Sequence, residues 1–162
     1  MTPTIKDGER VLINRIVRTF NLPIYRGDII TFEMPVDTVD GVGVYKEARD
    51  SVEFFIHDVL ELNKISFIKR VIGVAGDHVL IEDGSVYVND RKLEEVYLNG
   101  IETPKRGDFY DVVVPEGYLF VMGDNRSGSS DSREFGCIPL EKVEGRVSIR
   151  IWPLSEFGKI DN

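Results

Sequence analysis

One cysteine and two histidines are all that 162 residues offer to the commonest chemistries of catalysis and metal binding. The lone Cys137 has no partner for a disulfide within the chain, and in the apolar run GCIPL it reads as a small buried hydrophobe. Two histidines and one cysteine at unrelated spacings make no zinc ligand set, so neither a metal nor another cofactor is expected. A Ser-His-Asp hydrolase would need His57, in FFIHDV, or His78, in GDHVLI, and neither stands beside a partner motif. GVAGDH lacks the Lys-Ser or Lys-Thr that completes a phosphate loop. Basic charge is also scarce: 20 Lys and Arg against 28 Asp and Glu leave a net charge of −8, which opposes contact with a phosphate backbone and excludes nucleic acid as an expected partner. No run reaches the roughly 18 consecutive apolar residues of a membrane span, and no basic-then-apolar leader opens the sequence, so the residues as given are expected to be soluble. Repeats and low-complexity tracts are absent.

What is present is strand. RVLINRIV alternates, GDIITFEM follows a Gly-Asp turn, ISFIKRVIGV and DHVLIEDGSVYVND read as paired ribbons, and YLFVM and RVSIRIW close the set. Asp83-Gly84, between VLIE and SVYVN, is the strongest hairpin signal, with further turns at Asn89-Asp90 and Asn99-Gly100. Helix is limited to a short turn in PLEKVEG, opened by Pro139 and stopped by Gly145, and to Val44 to Leu62, which fits a helix or two strands. The fold class is mainly β and antiparallel, with hydrophobic content of 42% supporting a core of ordinary size. Core packing accounts for aromatics such as Phe20, Phe32 and Trp152.

Two features carry chemistry. Lys69 lies among Ile65, Phe67, Ile68, Val71 and Ile72. Desolvation favours the neutral amine, and a neutral lysine accepts a proton at ordinary pH, which makes a general base. The plain alternative is a lysine that alternates outward with its head in water. The second feature is GDNRSGSSDSREFG, from Gly123 to Gly136, directly after YLFVM. Its side chains can bond backbone groups and one another, and Asp131 with Arg133 can pair to fix the loop. A solvated turn is the alternative there.

Four stretches resemble the type I signal peptidases, membrane-bound serine proteases with a Ser-Lys dyad. MTPTIKDGE resembles Ser-Met-x-Pro-Thr-Leu-x-x-Gly-Asp, with Ile5 for Leu and Glu9 for Asp. YRGDIITF resembles the next box, FIKRVIGVAGD the Lys-Arg-x-x-Gly-x-x-Gly-Asp box, and VMGDNRSGSSDSREFG the Gly-Asp-Asn-Arg-x-x-Ser-x-Asp-Ser-Arg box; RVSIRIWPL fits the closing strand. The boxes stand in the family's order over nearly the whole chain.

The resemblance implies antiparallel sheets of the signal peptidase and LexA-like type, with residues 1–76 and 112–162 as catalytic core and 77–111 as a small β-ribbon cap lobe. It implies Lys69 as general base, Ser129 as the serine that orients it by a hydrogen bond, and Asp131 and Arg133 as the supporting pair. Gly123, Asp124, Asn125 and Arg126 shape the site loop, and Asp28 has a structural role. In the family the nucleophilic serine immediately precedes the methionine matched by Met1. That implies a nucleophile and a membrane anchor upstream of the residues given, and these residues alone are expected to be inactive. The implied function is a serine endopeptidase that removes signal peptides from secreted preproteins, at the cell membrane and with its catalytic domain on the extracytoplasmic face. Its substrate lies extended beside site strands, with small residues one and three positions before the cut. The alternative is an inactive homologue that serves binding or surface-pilus assembly; a self-cleaving repressor is a further relative, without the helix-turn-helix that would precede it.

Overall fold

The computed structural model describes residues 1–20, 22–33 and 66–160. Val44 to Leu62, His57 and the unassigned stretch 35–63 lie outside the described residues.

The described residues form two antiparallel sheets. The larger holds β1 (Arg10–Asn14), β2 (Ile29–Glu33), β3 (Ser66–Val74), β8 (Tyr118–Met122), β9 (Ile138–Pro139), β10 (Val143–Trp152) and β11 (Gly158–Lys159). Its order is β1-β10-β2-β3-β8-β9, with β11 on β10. The smaller runs β6-β5-β4-β7, from β4 (His78–Glu82), β5 (Ser85–Val88), β6 (Arg91–Lys92) and β7 (Asp111–Val113). Asp83 and Gly84 join β4 to β5 at φ 46° and 69°, and Asn89 and Asp90 join β5 to β6 at φ 52° and 62°. Both pairs adopt the left-handed turn that matches the twist of a hairpin. The hairpin legible in the sequence is thus the middle of a four-stranded sheet, completed by β6 and β7.

β8 explains why YLFVM is apolar throughout. Its residues alternate between two clusters: Leu119 and Val121 face Ile30, Phe32, Val71 and Ile138, while Phe120 and Met122 face Ile72, Val79, Ile81 and Val86. The second cluster draws on both sheets, and Cys137 is buried within it, as its apolar run predicts. Burial pushes the Cys137 thiol up to about 11, leaving it an inert packing group. Each fully buried side chain of this kind contributes on the order of 1.5–3 kcal/mol. A third cluster, Ile5, Ile29, Val147 and Ile160 with Met1 and Ile68 against it, seats the start of the chain on the large sheet.

Three expectations need correction. Only Arg10–Asn14 of RVLINRIV is strand; Ile16–Thr19 form a short helix, α1, in which Val17 turns inward while Ile16 stays exposed. The turn in PLEKVEG covers only Leu140–Lys142, and Gly145 lies inside β10, paired with Thr31, instead of ending the turn. Of the three aromatics, only Phe32 is core; Phe20 is 70% exposed and Trp152 50%.

Candidate active site

Lys69 sits on β3, paired with Ile30 of β2, where strands on both sides fix its backbone. Its side chain is half-buried, with Nζ 5.5 Å from the centroid of the Phe67 ring. Burial lowers the Lys69 pKa below the ordinary lysine range; Asp131 opposes that shift and Arg133 adds to it. The side chain thus lies between the two readings the sequence left open, neither fully buried nor fully exposed.

The wall facing Lys69 is built by the loop after β8. The chain leaves the strand at Gly123, and a Cβ there would fall 2.1 Å from Ser129 Oγ and 3.7 Å from Lys69 Cδ. Only glycine lets Ser129 approach so closely. Ser129 Oγ is buried with no hydrogen-bond partner among the described residues, and the bond to Lys69 that the resemblance implies is not made; the lysine's methylenes, through Cδ, border the shared corner. Asp131 caps the short helix α2 (Ser132–Phe135), accepting from the backbone N–H of Arg133, and Asp131 Oδ2 accepts from the N–H of Gly123 at 3.0 Å. Arg133 Nε and Nη2 donate to the two oxygens of Asp131, each at 2.8 Å, and Nη2 also donates to the carbonyl of Arg126 at 2.7 Å. Asp131 and Arg133 are fully buried, so this fork is water-free and rigid.

On the opposite face of β3 lies a pair that the sequence reading did not single out. Arg70, fully buried, donates from Nε and Nη2 to Asp124 at 3.0 and 2.9 Å and from Nη1 to the carbonyl of Gly27 at 3.1 Å. Asp124 also accepts from the hydroxyl of Thr4, which ties the first residues of the chain to the site loop. Met1 packs against the cluster of Ile5, Ile29, Val147 and Ile160, as Ile68 does, and its carbonyl accepts from the N–H of Ile5 at 3.0 Å. Burial and the positive charge of Lys69 lower the Met1 amine, with Asp124 opposing. Met1 and Lys69 therefore belong to one electrostatic neighbourhood.

Arg126 is buried, donating from Nε to the Gly123 carbonyl at 3.1 Å and from Nη1 to Glu95 at 2.9 Å. Asn125, beside it, is exposed. Asp28 is buried, accepts from the Tyr25 N–H at 2.9 Å and pairs with Arg146 at 3.3 Å, closing the turn before β2. His78 has a partner after all: its Nε2 lies 2.7 Å from Asp111, in an exposed pair across β4 and β7. That partner is 33 residues away in sequence, and so invisible as a motif. Sequence reasoning missed Glu95, Tyr97 and Arg70 because they carry no local signal: the partner of Glu95, Arg126, lies 31 residues away and that of Arg70, Asp124, 54.

The family described as signal peptidase, peptidase S26, matches residues 1–152. Signal peptidase IB of Staphylococcus aureus (strain COL) is 35% identical over 172 residues, covering 97% of this chain and 75% of its own length. A probable signal peptidase I-2 of Synechocystis sp. is 35% identical over 158 residues, covering 98% of this chain and 62% of that protein. Among solved structures, a signal peptidase I from Enterococcus faecalis matches with a TM-score of 0.50 and 28% identity, over 76% of this chain and 96% of that one. With a family match across nearly its full length and relatives above 30% identity, the chain belongs to the type I signal peptidases.

Proposed function

We propose that these residues form the peptidase region of an enzyme that removes signal peptides from exported preproteins, with Lys69 as general base. The nucleophile in this reading is a serine immediately preceding Met1. The observation that carries it is the setting of Lys69: a half-buried amine of lowered proton affinity, walled by Gly123, Ser129 and the Asp131–Arg133 fork, in the same neighbourhood as Met1.

A serine hydroxyl is a weak nucleophile until a base takes its proton. As the hydroxyl oxygen attacks the scissile carbonyl carbon, its proton passes to Lys69 Nζ; the same proton then goes to the departing amine as the peptide bond breaks. Water, deprotonated in turn by Lys69, hydrolyses the acyl-enzyme. Asp131 and Arg133 keep the amine aimed, and Ser129 Oγ, holding no bond of its own, is free to accept from the protonated form. The substrate lies extended beside the site strands, joined by main-chain hydrogen bonds. Residues 1–76 and 112–162 act as the catalytic core and 77–111 as a cap, with an upstream anchor holding the domain at the extracytoplasmic face of the membrane.

The test compares the chain starting at Met1 with one extended so that serine precedes Met1, on a preprotein with small residues one and three positions before its cut. The extended chain is expected to cleave, and Lys69→Met in it to cost at least about 10³-fold in rate. Lys69-dependent cleavage by the chain starting at Met1 would show that the nucleophile lies elsewhere. Failure of the folded, extended chain to cleave would leave a binding role in place of a catalytic one.

A further inference from the structure

A cluster of five side chains joins the small sheet's region to the site loop. Tyr97 lies in a single 3-10 turn, Val96–Leu98, between β6 and β7, with Glu95 just before it. The hydroxyl of Tyr97 donates to Glu95 Oε1 at 2.6 Å. Glu95 accepts from both terminal nitrogens of Arg126, and Arg126 also donates to Thr103 Oγ1. On its other side, the face of the Tyr97 ring lies 3.7 Å from Arg70 Cζ. Tyr97 therefore meets two buried guanidiniums: that of Arg70, the residue after Lys69, against its ring, and that of Arg126 from the site loop, whose Nη2 donates to its hydroxyl oxygen at 3.4 Å.

A flat ring stacked on a guanidinium shields it from water without competing for its N–H groups, so those stay on their in-plane partners. For Arg70 these are Asp124 and the Gly27 carbonyl, and Asp124 in turn holds Thr4, in the segment whose Met1 packs against the same cluster as Ile68, the residue before Lys69. We propose that Tyr97 is a positioning residue for the Lys69 base: its ring seals the Arg70–Asp124 pair, and that pair, through Thr4, keeps the Met1 segment packed beside the lysine. The catalytic half of this statement rests on the reading of Lys69 given above; the geometric half does not.

With the ring removed, water reaches Arg70 and Asp124, the hold on Thr4 weakens, and Lys69 becomes better solvated. The other charges facing Lys69, on Asp131, Arg133 and, in the chain that starts at Met1, its α-amine, and those facing Tyr97, on Glu95, Arg126 and Arg70, are unchanged in kind.

The experiment follows the titration of the Lys69 side chain by NMR in the folded chain, which needs no turnover. Tyr97→Phe, which keeps the ring, is expected to titrate like the parent, and Tyr97→Leu to titrate at higher pH. In the serine-extended chain, Tyr97→Leu is expected to lower kcat by about tenfold with KM changed less than about twofold. Should Tyr97→Leu not fold, Tyr97→Met fills the volume without a flat face and is expected to shift the titration in the same direction. An unchanged Lys69 titration in a natively folded Leu or Met variant would overturn the proposal. A shifted titration alongside cleavage that survives Lys69→Met would uphold the positioning and sink the peptidase reading instead.

Discussion

At the scale of single residues, the site couples stability to pH through Lys69. A lysine whose pKa is lower in the folded than in the unfolded chain binds fewer protons when folded, so stability rises with pH between the lowered value and the ordinary lysine range. Lys69→Met is expected to remove that rise, seen as a smaller stability difference between neutral and alkaline urea melts. Ser129→Ala separates packing from chemistry: its Oγ makes no hydrogen bond, so stability should move by less than about 1 kcal/mol, while cleavage by the serine-extended chain falls. Asp131→Ala is the opposite case, leaving Arg133 buried and unpaired at a cost of about 3–5 kcal/mol in the same melts. The apolar neighbours of Lys69 left a desolvated and an outward lysine both open, because local alternation does not tell them apart; the box shared with the signal peptidases singled the residue out. The partner of Arg70 was not legible, since Asp124 lies 54 residues away and only the packed sheet brings them together.

At the scale of elements, β10 is the strand on which most of the large sheet depends. It pairs with β2 through Val143, Gly145 and Arg146, then with β1 from Arg146 to Trp152, and carries β11 as well. The changeover requires a close approach at Gly145, where a Cβ would lie 2.7 Å from Ile13 Cγ2 and 2.8 Å from the carbonyl oxygen of Asn14. Gly145→Ala is expected to cost about 1–3 kcal/mol and to raise amide exchange in β1 before β3 or β8. Turn dipeptides and alternating runs made the strands readable, because those signals act within a few residues. The end of β1 was harder: Ile16 and Val17 continue the apolar pattern past the strand and into helix. For the site loop, composition alone could not tell a solvated turn from a buried fork; the box shared with the signal peptidases could.

At the scale of the whole molecule, Asp77 latches the two sheets at their junction. Arg26 donates to it from Nε at 2.6 Å, Val74 N–H at 2.9 Å and Asn89 at 3.0 Å, so residues before β2, at the end of β3 and after β5 converge on one carboxylate. Burial alone would raise the Asp77 pKa, but the hydrogen bonds from Arg26, Val74 and Asn89 outweigh it and hold the carboxyl below the usual range. Its contribution is full above the unfolded carboxylate value and lost as pH falls through the lower folded one. Asp77→Asn is expected to flatten the acid limb of the stability profile, measured by denaturant melts from pH 3 to pH 7. The cluster around Phe120 has a further consequence. Ile72 and Met122 come from one sheet, Val79, Ile81 and Val86 from the other, and the cluster has no dry half that either could keep alone. Expressing residues 78–113 apart from the rest of the chain would leave both pieces with greasy, unmated faces, prone to precipitate and to recover only by co-expression.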